Sequence, residues 1–240
     1  MKKLSKRTKR TNKHKLKHKL KFDKNKIYSF DNAITLIKEA AIAKFDESID
    51  VSIHLNVDIK RSDQIVRGSI VLPFSTGKRI YIAAFVPEEK FEQAKMAGAD
   101  IVGMEDLAQK IKSNEVSCNV VIASPESMHV VSSLGQILGP KGLMPNIKDG
   151  TLSSDILTAI KNAKLGQIRY RMDKSGIIHA AIGRKSFCNE NIKSNILALI
   201  NILNENKSST NKNIYIRKIY LSSTMGIGVR VDFNENKIIN

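Results

Sequence analysis

Residues Arg79–Val86 read "RIYIAAFV", an almost unbroken apolar run, whereas Ile49–Ile59, "IDVSIHLNVDI", alternates apolar and polar positions. Alternation suits a strand with one face in water, and an unbroken run suits a strand covered on both faces, as in parallel sheets flanked by helices. Two kinds of sheet in one chain imply two domains. Outward from Val86, a helical "PEEKFEQAKMAGA" leads to a short strand "DIVGM". The helical "EDLAQKIKSNEV", the strand "CNVVIASP" and the helical "ESMHVVSSLGQIL" follow. This βαβ alternation describes a Rossmann-like parallel sheet.

On either side of that block the half-buried pattern returns. Asp31 is a candidate cap for a helix through "NAITLIKEAAIAKF", ahead of the alternating strand and a short strand "GSIVLP" ending at Pro73. After Gly166, "QIRYRMD" and "IIHAAIG" flank "KSG" as an expected hairpin, and a helix covers Glu190–Glu205. Then "IYIRKIYLSS" and "IGVRVDF" flank "TMG" as a second hairpin. The fold class expected is α/β with two domains. Residues 1–73 and 165–240 form an α+β two-layer domain from both chain ends, and residues 74–164 form an inserted Rossmann-like three-layer α/β domain. Two crossings favour domains hinged near Pro73 and Gly166.

The formal charge is +17, and eleven of the positive charges fall in residues 1–21, "MKKLSKRTKRTNKHKLKHKLK", which contain no acid. The rest of the chain keeps a smaller positive excess, so the expected partner is a polyanion, with nucleic acid favoured over a merely solubilising tail. No apolar run approaches about 18 residues, so no membrane span is expected and the protein is read as cytoplasmic. Cys118 and Cys188 stand apart with no CxxC partner, which suits packing in a reducing compartment. His14 and His18, four residues apart in the tail, make a poor metal site by themselves. No metal and no cofactor are expected.

The loop Gly135–Gly150, "GQILGPKGLMPNIKDG", fails the spacing of a Walker A phosphate loop, because Lys141 precedes Gly142 and then Leu143. No G-x-G-x-x-G follows the first strand of the βαβ block, and no nucleophile motif is present, so no catalytic residues are assigned. The remaining enzyme reading is an RNA-modifying or nucleotide-using enzyme on the Rossmann-like block.

Taken whole, "GQILGPKGLMPNIKDG" resembles the signature of the bacterial large-subunit ribosomal protein L-one family. The resemblance extends to "AKFDES" at 43–48, "RSDQIVRG" at 61–68 and "AGADIVGMEDLAQKI" at 97–111. It continues through "VVIASPESM" at 120–128, "GQIRYRMDKSGIIHAAIG" at 166–183 and "SSTMGIGVRVD" at 222–232. It implies a non-catalytic protein, monomeric when free, that binds large-subunit rRNA in the mobile stalk. It also implies help in releasing deacylated tRNA from the exit site, and translational repression through the protein's own operon mRNA. The RNA-binding positions it implies are Lys44, Phe45, Arg171, Asp173, Lys174, Ser223, Thr224, Met225 and Gly226. Met172, Ile147 and Phe74–Ser75 depart from the common pattern. Bland alternatives exist for several of these residues. Phe45 could be a core aromatic, Lys44 and Lys174 solvated charges, Asp173 a cap of its own turn, and Gly226 a supplier of positive φ.

Overall fold

The computed structural model describes residues 23, 26–57, 66–205 and 215–232. The basic tail, Asp58 and Ile59 of the first expected strand, residues 61–65 of "RSDQIVRG", Ile214 and Phe233 lie outside the described residues. The described chain divides into two compact units, one from the residues up to Val66 and from Arg171 onward, the other Arg67–Tyr170.

In the first unit, α1 (Phe30–Ala40) precedes β1 (Ser48–Leu55), and β7 (Ile177–Arg184), α7 (Asn189–Glu205), β8 (Ile216–Ser223) and β9 (Val229–Val231) complete it. The strands form one sheet in the order β7-β1-β8-β9, with β1 antiparallel to both neighbours. Alternation in β1 buries Ile49, Val51, Ile53 and Leu55, while Asp50, Ser52 and His54 lie on the open face. Against the buried face pack Ile34 and Ile37 of α1 and Ile192, Ile196, Leu199 and Ile200 of α7, all essentially inaccessible to water. Each such side chain contributes roughly 1.5–3 kcal/mol by leaving water. The N-cap of α1 is Ser29 rather than Asp31. Asp31 sits in the first turn, where a carboxylate favours the helix dipole, and pairs with Lys193 of α7 at 3.1 Å. The helix ends at Ala40, so Lys44 and Phe45 lie in the loop beyond it.

The second unit is built on a parallel sheet in the order β4-β3-β5, with β3 (Ile82–Phe85) between β4 (Ile101–Gly103) and β5 (Val120–Ala123). The unbroken apolar run is buried throughout β3 because both faces are covered. Ala83, Phe85, Val121 and Ala123 meet α3 (Glu105–Lys112), α4 (Met128–Ser132) and α5 (Gly135–Leu138). Ile82, Ala84 and Ile122 meet α2 (Phe91–Met96) and α6 (Ile156–Lys164). The expected helices over 87–99 and 126–138 are broken. Glu88–Lys90 is a 3₁₀ turn leading into α2, and α4 and α5 are separate short helices.

One expected hairpin is not formed. β6 (Gln167–Arg171) pairs with β2 (Arg67–Val71) in a two-stranded sheet, and β7 goes to β1 instead. The Met172–Ile178 bridge and the Asp173 N–H donated to the Ile177 carbonyl (2.9 Å) join the two expected arms just at the "KSG" turn. β2 and most of β6 count with the inserted unit, whereas the sequence reading divided the chain at Pro73 and Leu165. Side-chain contacts explain that assignment. Arg67 reaches Asp149 through two hydrogen bonds, 2.9 Å to Oδ1 and 2.6 Å to Oδ2, and Gln167 donates to Ser69 Oγ (2.7 Å) and to the Asp149 carbonyl (3.2 Å).

Asp149 is 4% exposed, so removing its cation strands a buried charge. Arg67→Met is expected to lower stability by about 3 kcal/mol in chemical denaturation; an unchanged midpoint would mean that the pair contributes nothing net.

Candidate nucleic-acid interface

The candidate residues gather at opposite ends of the four-stranded sheet. At the Ser48 end, the loop carrying Lys44 and Phe45 meets the β8–β9 turn carrying Thr224, Met225 and Gly226. At the Leu55 end, where Leu55 N–H donates to the Gly176 carbonyl, stands the turn of Asp173 and Lys174, with Arg171 just before it. The length of β1 separates the groups by roughly 20 Å.

The Ser48 end is organised by Glu47, whose side chain is fully buried. Ala43 N–H donates to its Oε1 at 2.7 Å and Met225 N–H to its Oε2 at 3.0 Å. Burial raises the Glu47 carboxyl, but these two N–H groups, the Ser223 hydroxyl and the Lys185 charge together outweigh it and hold it below the ordinary glutamate range. The Lys185 ammonium itself donates to the Ala41 carbonyl at 2.9 Å. Thr224 closes the same junction: its N–H donates to the Ser48 carbonyl (3.1 Å), and its Oγ1 accepts from Ser48 N–H (3.0 Å). Its hydroxyl is thus engaged within the protein, although the residue is exposed. Gly226 is needed for close approach, since an added Cβ would fall on the Ser223 hydroxyl; its φ is not positive, which removes the turn-conformation explanation. Ser223 is buried.

With backbone and carboxylate satisfied inside, the apolar side chains of these loops face out. Phe45 is 57% exposed and Met225 46%. Phe45 is therefore not a core aromatic, and the two leave an apolar patch beside the exposed Lys44.

At the Leu55 end, Asp173 Oδ1 accepts from Ser175 N–H (2.7 Å) and Ile177 N–H (2.9 Å). The Ile177 N–H foremost, with help from Ser175 and His179, holds its carboxyl below the usual range against a smaller opposing effect of burial. Asp173 therefore shapes its own turn, and Lys174 and Arg171 are exposed beside it. Met172 turns into the core at 5% exposure, so its departure from the common pattern falls behind this surface.

Between the two ends runs the open sheet face: Ser52 hydrogen-bonds His179 at 3.0 Å, the His54 and Tyr220 rings stand 5.6 Å apart, and Lys218 and Arg230 share that face. Burial, then the Lys218 charge, lowers the His54 pKa. Ser52, His179 and Asp173 form a hydroxyl–imidazole–carboxylate series, with His179 Nε2 3.6 Å from Asp173 Oδ2. His179 is 60% exposed on an open strand surface, which supplies none of the water exclusion that acyl transfer needs. Among the described residues no cluster of three or more His, Cys, Asp or Glu could hold a metal, and no helix is long and apolar enough to cross a membrane.

Sequence reading missed Glu47, Ser48 and Lys185. Glu47 lies inside "AKFDES" beside Asp46, and nothing local marks which of the two acids is buried. A half-buried sheet with helices on one face, an inserted parallel α/β unit and basic, apolar-tipped loops describe a nucleic-acid-binding class of protein. Residues 37–227 match the model of the ribosomal protein L1p/L10e family, and the chain belongs to that family. It is 60% identical over 232 residues to the large ribosomal subunit protein uL1 of Janthinobacterium sp. (strain Marseille), covering 97% of each chain. The same identity and coverage relate it to uL1 of Herminiimonas arsenicoxydans. With uL1 of Polynucleobacter necessarius it shares 58% identity over 212 residues, 88% of this chain and 91% of that one. It is accordingly a ribosome-associated, RNA-binding protein.

Because the folded Glu47 pKa lies below its unfolded value, its contribution is present at neutral pH and is lost as pH falls through the folded pKa. Glu47→Gln is expected to cost about 2 kcal/mol at pH 7, with the gap to the parent closing in acid below about pH 4. Denaturant titrations across pH would detect a constant gap, which would contradict this role.

Proposed function

We propose that the chain is a non-catalytic component of the large ribosomal subunit that binds rRNA directly through the unit formed by its two chain ends. The surface runs from Lys44, Phe45, Ser223, Thr224, Met225 and Gly226 across the open sheet face to Arg171, Asp173 and Lys174. The observation carrying this reading is the exposure of Phe45 and Met225 on loops that the buried Glu47 carboxylate pins from inside the protein. Loops held this rigidly lose little freedom on binding, and a flat apolar patch with basic neighbours suits a structured RNA read by shape, ribose hydroxyls and base stacking. Lys44, Arg171 and Lys174 add phosphate contacts that position without reading sequence. Thr224, Gly226, Ser223 and Asp173 act chiefly by holding the backbone that the RNA meets.

On this reading the protein is monomeric when free and sits in the mobile stalk. It assists departure of deacylated tRNA from the exit site, and represses translation by binding a similar RNA element in its own operon mRNA. A shared surface for rRNA and mRNA makes the two binding reactions mutually exclusive.

Phe45→Ala is expected to weaken binding of the full chain to large-subunit rRNA by about 1–3 kcal/mol, the range of a lost stacking contact. Met225→Ala is expected to act in the same direction. Filter binding with the intact protein checks both, and unchanged affinity in the double variant would overturn the assignment of this surface. Thr224→Val is expected to lower folding stability by about 0.5–1.5 kcal/mol through loss of the Ser48 N–H bond, and Thr224→Ser to restore it. Thermal unfolding of the two variants separates this from a direct RNA contact, which would weaken binding without a stability change.

A further inference from the structure

The open sheet face between the two groups of loops is divided by charge. On its β8–β9 half, Lys218 and Arg230 are permanently cationic. On its β1–β7 half, residues 50–54 and 177–181 contain no lysine or arginine, and the ionisable side chains are those of Asp50, His54 and His179. Asp173, from the turn that also carries Lys174, brings a second carboxylate to 3.6 Å from His179 Nε2. With both imidazoles neutral, Asp50 and Asp173 leave the middle of this half negative, and it repels the phosphates of an RNA crossing it. With both imidazoles protonated, the two carboxylates are balanced.

The strand register decides what each imidazole faces. His54 lies directly opposite Lys218 of β8 and Ile177 of β7, and His179 lies opposite Ser52. Directly opposed side chains are about 5 Å apart and diagonal ones about 7–8 Å, so a charged His54 meets the Lys218 ammonium across one strand gap and His179 across the other. Tyr220 packs beside His54, and Arg217 and Asp173 complete the charged groups acting on it. Burial, then Lys218, lowers the His54 pKa, with His179 and Arg217 acting in the same direction and Asp173 opposing them. His179 is faced by the Ser52 hydroxyl, 3.0 Å from Nδ1, by Asp173 and by Asp50, whose carboxyl is raised by burial against the opposing pull of His179.

A phosphate laid over this face offsets the Lys218 repulsion and gives each imidazolium a charged hydrogen-bond acceptor in place of water. Imidazole is the side chain whose charge changes near neutral pH. Resting on the reading of this face as part of the RNA surface, we propose that RNA binding is coupled to proton uptake by His54 and His179, so that affinity rises as pH falls. The sign follows from linkage: the complex holds more protons than the free protein, so protons favour the complex to the same extent that RNA favours protonation. The face thereby adjusts the strength of RNA binding to pH, while Lys218 and Arg230 supply attraction that pH does not change.

The test titrates purified large-subunit rRNA into the full chain and into His54→Gln/His179→Gln, at constant ionic strength and at about pH 8, 7 and 6. The parent is expected to gain about tenfold in affinity from the highest to the lowest pH beyond any gain in the variant. His14, His18, Asp50 and His129 are common to both proteins, so the difference reports the pair. Calorimetry in buffers of different ionisation enthalpy counts the protons directly, and near pH 6.5 the parent complex is expected to take up about one proton more than the variant complex. His179→Lys, with a fixed charge, is expected to bind more tightly than the parent at the highest pH and to show a shallower pH dependence. Parallel pH curves for parent and His54→Gln/His179→Gln, or a parent complex that takes up no proton, would overturn the proposal. Phe45→Ala/Met225→Ala is expected to lower affinity by the same factor at every pH. Unchanged affinity there would sink the RNA-surface reading itself, whereas parallel curves for the histidine variant sink the proton coupling alone.

Discussion

A single buried carboxylate, Glu47, holds the first unit's two surface loops in register. Taking a carboxylate out of water costs several kcal/mol unless donors replace the solvent. Here the donors are backbone N–H groups of Ala43 and Met225, one close in sequence and one on the far side of the chain. The demand for both at once brings the loop after α1 against the β8–β9 turn. Thr224 then pairs with Ser48 through backbone and hydroxyl, and Gly226 is excluded from carrying a side chain by Ser223. With the Glu47 carboxylate and the Thr224 hydroxyl engaged inside, Phe45 and Met225 are the apolar groups left to meet something else.

Asp149 has a corresponding place in the inserted unit. It too is buried, and its partner Arg67 comes from a strand distant in sequence. Together with Gln167 and Arg169 it ties the Gly135–Gly150 segment to the β2–β6 pair. That explains why the segment looks like a phosphate loop without being a nucleotide cradle. Its glycine turn follows the C-terminal end of α5, where carbonyls face outward, whereas a cradle uses N–H groups at a helix N-terminus. The aspartate on its inner side, buried against Arg67, holds the segment in place.

The separation of the candidate residues into two groups bears on how RNA would be recognised. A partner spanning roughly 20 Å touches both ends of the sheet and passes over Ser52, His54, His179 and Tyr220. Rigid strands between the two ends set their spacing, so shape can discriminate among RNAs where individual phosphate contacts cannot.

Hydrophobic period alone distinguished the half-buried sheet from the one covered on both faces, because burial on one side or two leaves its mark on each successive residue. The same local signal located the strands and the turns with Lys174 and Met225, and the wording of the "AKFDES", "GPKGLMPN" and "SSTMG" segments carried the family. Period says nothing about which strands become neighbours. Hence β6 was assigned to β7 when it pairs with β2, and Asp31 was read as a cap when its role is to pair with Lys193. Glu47 reads as one acid among charged neighbours. It becomes the organising group only when folding buries it against Met225, 178 residues away. Hydrogen bonds of that reach depend on three-dimensional neighbours and so were decided by the tertiary structure. The residue types that make those bonds were already written in the chain.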